Sequence, residues 1–138
     1  MTLTETPRVQ NDNILNYATE LAQLIKSGRV RQHATDAERL INRLTKEFDA
    51  HVNEENTHLL PYLFQHPNER VRATARRSHN RLNEIAPRVK NWSRAWHASR
   101  IESQPEEFYR DTQEVFMRLK AQIDEENRQL FPLVEMEK

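Results

Sequence analysis

The sequence predicts an all-α fold, an up-and-down antiparallel bundle of four helices, and three observations carry that prediction. Only one glycine, Gly28, occurs in 138 residues, too few for the positive-φ turns that hairpins and phosphate-cradling loops require. Apolar residues recur every three or four positions through four long segments, the period of helices that bury one face. The breaks between these segments are short, which sets successive helices side by side and antiparallel. A chain of this length is one domain's worth of sequence, so residues 1–138 are expected to form a single unit with a core that needs no covalent staple.

Helix A is expected over residues 13–27, with Ile14, Tyr17, Leu21 and Leu24 at helical spacing and Gly28 ending it. Helix B is expected over 35–65, opened by Thr35 and Glu38 at the two positions of a reciprocal capping box. Its core stripe reads Leu40, Leu44, Phe48 and Tyr62, and Pro61 comes late enough to kink the helix without stopping it. His66-Pro67-Asn68 reads as a turn with Asn68 as the N-cap of helix C, expected over 68–99 with a bend at Pro87. The inner face of helix C is Val71, Ala75, Ser78, Leu82, Ile85, Val89 and Trp92. Helix D, over 105–133, begins with Pro105 in the first turn and follows it with Glu106 and Glu107, which suit the positive end of the helix dipole.

Composition removes several function classes. Acidic and basic residues balance at 21 each, so no global field draws nucleic acid or an anionic membrane. Arg70, Arg72, Arg76, Arg77 and Arg81 read as a solvated face, because no aromatic residues interleave with them. The absence of cysteine excludes disulfides, thiolate catalysis and cysteine-ligated metals. No apolar run approaches the roughly 20 residues of a membrane span, and the opening MTLTETPRVQ has no signal-peptide core, so the expected location is the cytoplasm. Trp92 and Trp96, one turn apart, read as core residues, with a surface for a protein partner or a second copy as the alternative. No nucleophile arrangement is discernible; paired glutamates leave acid–base chemistry open, so enzymatic activity is uncertain.

Two segments match without gaps. His51-Val-Asn-Glu-Glu-Asn-Thr-His-Leu-Leu-Pro61 aligns with Gln122-Ile-Asp-Glu-Glu-Asn-Arg-Gln-Leu-Phe-Pro132, 71 residues later. A duplicated helical hairpin leaves such a trace and makes helices B and D equivalent. Both segments also carry polar residues on the face expected to be buried. At roughly 100° per residue, His51 falls inside the stripe of helix B, with Glu55 and His58 close on either side. On helix D, Gln122, Glu126 and Gln129 continue the phase of Val115 and Leu119. Facing carboxylates inside a bundle cannot both stay charged alone; they share protons, meet a cation, or hold a metal. A histidine and a glutamate four apart present imidazole and carboxylate to one ion, which suits first-row metals.

His51-x3-Glu55-x3-Leu59-Leu60-Pro61, echoed by Glu126-x3-Leu130-Phe131-Pro132 in the last helix, resembles the hemerythrin-like (HHE cation-binding) family over essentially the whole chain. That resemblance implies a hemerythrin-like four-helix bundle holding non-heme iron in its core, to bind or sense oxygen or nitric oxide or to handle iron. In the family, helix A gives one histidine, helix B a histidine and a glutamate, helix C one or two histidines, and helix D a histidine with an acidic residue. Carried over, His51 and Glu55 fit the helix B ligands and Glu126 the helix D acid, while Gln122 stands where helix D has histidine. Helix A offers only Tyr17 or Ala18 at the expected place, and His58 and His79 are the remaining, less well phased, candidates. The implied centre is mononuclear or incomplete, and a metal-free bundle serving as an interaction or regulatory module is the alternative.

Overall fold

A computed structural model of the chain describes residues 2–136. Its elements are α1 (Glu5–Lys26), α2 (Ala34–Glu54), a π-helical turn (Glu55–Leu59), α3 (Leu60–Phe64), α4 (Glu69–Ala95), α5 (Ala98–Ser103), α6 (Pro105–Glu125), a second π-helical turn (Glu126–Leu130) and α7 (Phe131–Glu135). Each π turn joins the helices on either side of it into one rod, so four rods remain besides the short α5. Contacts run from α1 to α2, from α2 to α4, from α4 to α6 and back from α6 to α1, closing an up-and-down antiparallel four-helix bundle. No strand occurs among the described residues, and none of their helices is long and apolar enough to cross a membrane.

The apolar core falls into two clusters. The larger includes Ile14, Leu21, Ile41, Leu44, Phe48, Leu82, Val89, Trp92, Phe108, Val115 and Leu119. The smaller gathers Leu59, Leu60, Leu63, Val71, Ala75, Leu130 and Phe131. Along every long rod the residues that fall between the two clusters, or next to them, are polar and buried: Gln10 and Asn11, His51 and Glu55, Ser78, Gln122 and Glu126. In that polar layer hydrogen bonds, rather than hydrophobic burial, must hold the helices together.

Several local expectations change. α1 begins at Glu5, two turns before residue 13, and this extension brings Gln10 and Asn11 into the core. The capping box at Thr35 does not form: α2 opens at Ala34, and Oε1 of Glu38 instead accepts from the Ala98 backbone N–H at 2.7 Å, tying α2 to α5. Asn68 does cap α4, its Oδ1 accepting from the Arg70 N–H at 2.8 Å, and α4 continues through Pro87. It ends at Ala95 rather than Ser99, and α5 restarts after Trp96 and His97. Trp92 and Trp96 are buried; their indole N–H groups donate to Thr112 Oγ1 at 2.9 Å and Asp111 Oδ2 at 2.7 Å. The two indoles are core, as expected, and the alternative of an exposed partner surface formed by them is not presented. Of the arginines on α4, Arg72 and Arg76 pair with Glu69 and Arg81 with Glu125.

The two matching segments share their backbone. In each π turn the first residue's carbonyl accepts from the amide five positions on, Glu55 from Leu60 and Glu126 from Phe131. One extra residue in the turn rotates everything beyond it relative to an uninterrupted α-helix. Tyr62, in phase with Phe48 by simple counting, is therefore 44% exposed and Leu63 takes the core position. Gln129 is likewise exposed and Leu130 buried.

Candidate metal centre

The three side chains of the centre come from two rods. His51 is in the last turn of α2 and Glu55 opens the first π turn, so a rise of one helical turn stacks them on one face. Glu126 opens the second π turn at the end of α6. One ligand atom from each of these three buried side chains lies within 4.8 Å of the other two. Nε2 of His51 stands 2.9 Å from Glu126 Oε1 and 3.1 Å from Glu55 Oε2. One ring N–H faces two carboxyl groups, and its hydrogen bond goes to Glu126.

Two residues of α1 complete the surroundings. Oε1 of Gln10 lies 3.0 Å from His51 Nδ1 and accepts its hydrogen, which aims the other ring nitrogen at the carboxyl groups, as outer partners of metal-bound histidines do. Nδ2 of Asn11 donates to Glu126 Oε1 at 3.0 Å. The far oxygen of Glu126, Oε2, accepts from Gln122 Nε2 at 2.9 Å, and the same amide reaches Ser78 Oγ at 3.2 Å on α4.

Burial and charge divide the three titrating groups. Burial disfavours the cationic form of His51, yet hydrogen bonds and charge from Glu126 and Glu55 outweigh it and raise the imidazole to about 10. Burial, reinforced by the charge of Glu126, pushes the Glu55 carboxyl up to about 8, with His51 opposing. Burial acts in the same upward direction on Glu126, but the His51 hydrogen bond and charge, with Asn11 and Gln122 donating, hold it below the usual carboxylate range. At neutral pH the cluster is thus an imidazolium, one carboxylate and one largely neutral carboxyl group.

Glu55 has no donor of its own: Oε2 lies 3.1 Å from the His51 nitrogen that Glu126 also faces, and Oε1 has no hydrogen-bond partner. A buried carboxyl so poorly supplied with donors is a costly arrangement, and a cation held by Glu55, His51 and Glu126 would relieve it. One imidazole nitrogen with two carboxylate oxygens suits a single first-row divalent ion. Among the described residues three such side chains converge here, so these donors fit one ion rather than a bridged pair.

Of the other sequence candidates, Gln122 is brought to these three and His58 and His79 are not. Gln122 is at the cluster but turns its NH2 group toward Glu126. His58 is exposed on the π turn. His79 is half-buried on α4, edge-on to Phe64 at 5.7 Å between ring centroids and 3.1 Å from Asn83. Tyr17 and Ala18 are a full turn or more beyond the α1 residues that reach the centre. Gln10 and Asn11 were the residues that sequence reasoning missed, and their signal was faint: the spacing of Leu21, Ala18 and Ile14 runs back onto Asn11 and Pro7.

A four-helix bundle with a histidine and two glutamates converging in its core belongs to the class that builds cation sites between facing helices. The model of the hemerythrin HHE cation-binding domain matches residues 2–134, nearly the whole chain, and the chain belongs to that family. Comparison with curated proteins and with solved structures gave no match.

Proposed function

We propose that this chain binds one non-heme metal ion, iron, through His51, Glu55 and Glu126, and uses it to bind or sense a small ligand such as oxygen or nitric oxide, or to handle iron. The observation that carries this reading is the fully buried carboxyl of Glu55, packed against an imidazole and a second carboxylate with no hydrogen-bond donor of its own. When bound, iron would supply an open coordination position for a diatomic molecule. The chain's own residues set the rest: Gln10 aims the imidazole, while Gln122 orients Glu126. Protein isolated from iron-supplemented cells should carry up to one equivalent of iron, and His51→Ala should carry none. Absence of metal under every loading condition would remove this reading.

A second reading is favoured by one observation, the His51–Glu126 ion pair with amide donors on both Glu126 oxygens. That pair compensates its own charges without metal, and a metal-free bundle would serve as an interaction or regulatory module. The two readings separate on chelation. A ligand bound only by the folded state stabilises it, so a chelator should lower the melting temperature under the first and leave it unchanged under the second.

A further inference from the structure

We infer that Asn11 is the ligand α1 contributes to the centre, and that its side-chain amide turns end for end when metal enters. This assignment presupposes the metal centre formed by His51, Glu55 and Glu126. Asn11 is fully buried. Its Nδ2 lies 3.0 Å from Glu126 Oε1, the same oxygen that faces His51 Nε2 at 2.9 Å. The tip of the amide therefore sits beside the atoms that would share an ion. The amide nitrogen has a further acceptor in Asn127 Oδ1 at 3.5 Å, whereas the amide oxygen, Oδ1, has no partner at all. Among the described residues five buried side-chain polar atoms lack a hydrogen-bond partner, and four of them belong to Asn11, Glu55 and Gln122 around this one imidazole.

The orientation of Asn11 follows from what occupies the centre. In the metal-free chain, Oε1 of Glu126 accepts from the NH2 group of Asn11 at 3.0 Å. A metal ion held by Glu126 would engage that oxygen and repel an N–H dipole aimed at it. The two ends of a carboxamide have nearly the same size, so a half-turn exchanges donor for acceptor with the same packing. It takes the NH2 group off Glu126 and Asn127, a loss that the bond from Oδ1 to the ion would have to offset. The oxygen then stands where the nitrogen was, and the centre holds one nitrogen and three protein oxygens. That donor set favours harder divalent ions such as Mn2+ or Fe2+ over soft ones. Gln122 plays a different part: its tip is on Oε2 and anchored to Ser78, which fixes the far side of Glu126.

Asn11→Asp and Asn11→Leu separate a ligand from a mere hydrogen-bond donor. Both remove the amide donor, but aspartate keeps an oxygen for the ion and leucine keeps none. Mn2+ binding is read by titration calorimetry and by the Mn2+-induced rise in melting temperature. Asn11→Leu should bind Mn2+ at least tenfold more weakly than the unaltered chain. Asn11→Asp should bind at least as tightly, with a larger Mn2+-induced rise, because its metal-free form sets two acids together. If Asn11→Asp is unfolded without metal, refolding on Mn2+ addition supports the assignment and failure to refold overturns it. Equal weakening in both variants, or no change in either, overturns it while leaving the centre itself intact. Failure of the unaltered chain to bind Mn2+, Fe2+ or Zn2+ instead removes the centre, and this ligand with it.

Discussion

Nε2 of His51 stands 2.9 Å from Oε1 of Glu126, across 75 residues of sequence, and the hydrogen between them holds the place a metal ion would take. Proton and metal therefore compete, and the competition has a sign. His51 is raised to about 10 from 6.5, so its contribution to stability is complete below pH 6.5 and is lost as pH rises through about 10. Glu55, raised to about 8 from 4.5, contributes fully below pH 4.5 and loses that contribution as pH rises toward 8. Glu126, held low, contributes above pH 4.5 and loses it only at lower pH. Metal-free protein should thus lose stability between pH 6 and 9, by at most about 1.4 kcal/mol per pH unit for each proton released. The stabilisation gained from saturating metal should grow over the same interval, since binding expels the protons. Melting curves at four pH values, with and without metal, check both slopes.

The two glutamates should respond differently to neutralisation. Glu55 is largely neutral at pH 7, so Glu55→Gln should change the stability of the metal-free protein by less than about 1 kcal/mol. Glu126→Gln removes the charge that compensates a buried imidazolium and should cost about 3–5 kcal/mol. Both should abolish metal loading. Denaturant melts at neutral pH test the asymmetry, and equal losses would contradict the division of charge described above.

The four-helix architecture was legible because helical period and glycine scarcity are properties of whole segments, insensitive to one residue's placement. His51, Glu55 and Glu126 were legible for a related reason: a polar residue inside an apolar stripe stands out before any π turn disturbs the phase. Tyr62 and Gln129 were misplaced because counting at a fixed angle cannot register the residue each π turn adds. Gln10 and Asn11 escaped because a periodicity read from apolar residues stops where the buried face turns polar. The early start of α1 thus went unseen, since Pro7 was the sole apolar marker of its first two turns that is buried.

Arg8 fastens that early start to the other end of the chain. Its guanidinium makes two hydrogen bonds to Glu135, at 2.6 and 2.7 Å, and lies 5.0 Å from the centre of the Phe131 ring; Thr4 donates to the same carboxylate at 2.8 Å. The pair is half-exposed, so Arg8→Ala should cost only about 0.5–1 kcal/mol globally. Its local effect should be larger, because Gln10 and Asn11 follow within one turn. Amide hydrogen exchange over residues 5–12 should accelerate in Arg8→Ala while exchange in α2 stays as before, and unchanged exchange in α1 would show that burial of Pro7 suffices to hold it.

The π turns make a prediction opposite to intuition about deletions. A π turn is an α-helix with one residue inserted, so removing one residue from Glu55–Leu59 leaves an α-helix whose two ends keep their facing. Thr57 is exposed within that turn, and Pro61, which has no N–H to give, lies just beyond it. Deleting Thr57 should leave Glu55 in place before the turn and Leu63 in the core after it. Cooperative unfolding should persist, with a loss of about 1–2 kcal/mol for the altered turn. Deleting Asp49, equally exposed but in regular α-helix, rotates His51, Glu55 and every later residue of the rod by roughly 100°. That variant should lose both cooperative melting and metal binding. Thermal melts followed by circular dichroism distinguish the two, and a Thr57 deletion as damaging as the Asp49 deletion would mean that the extra residue, rather than the register it preserves, is what the core requires.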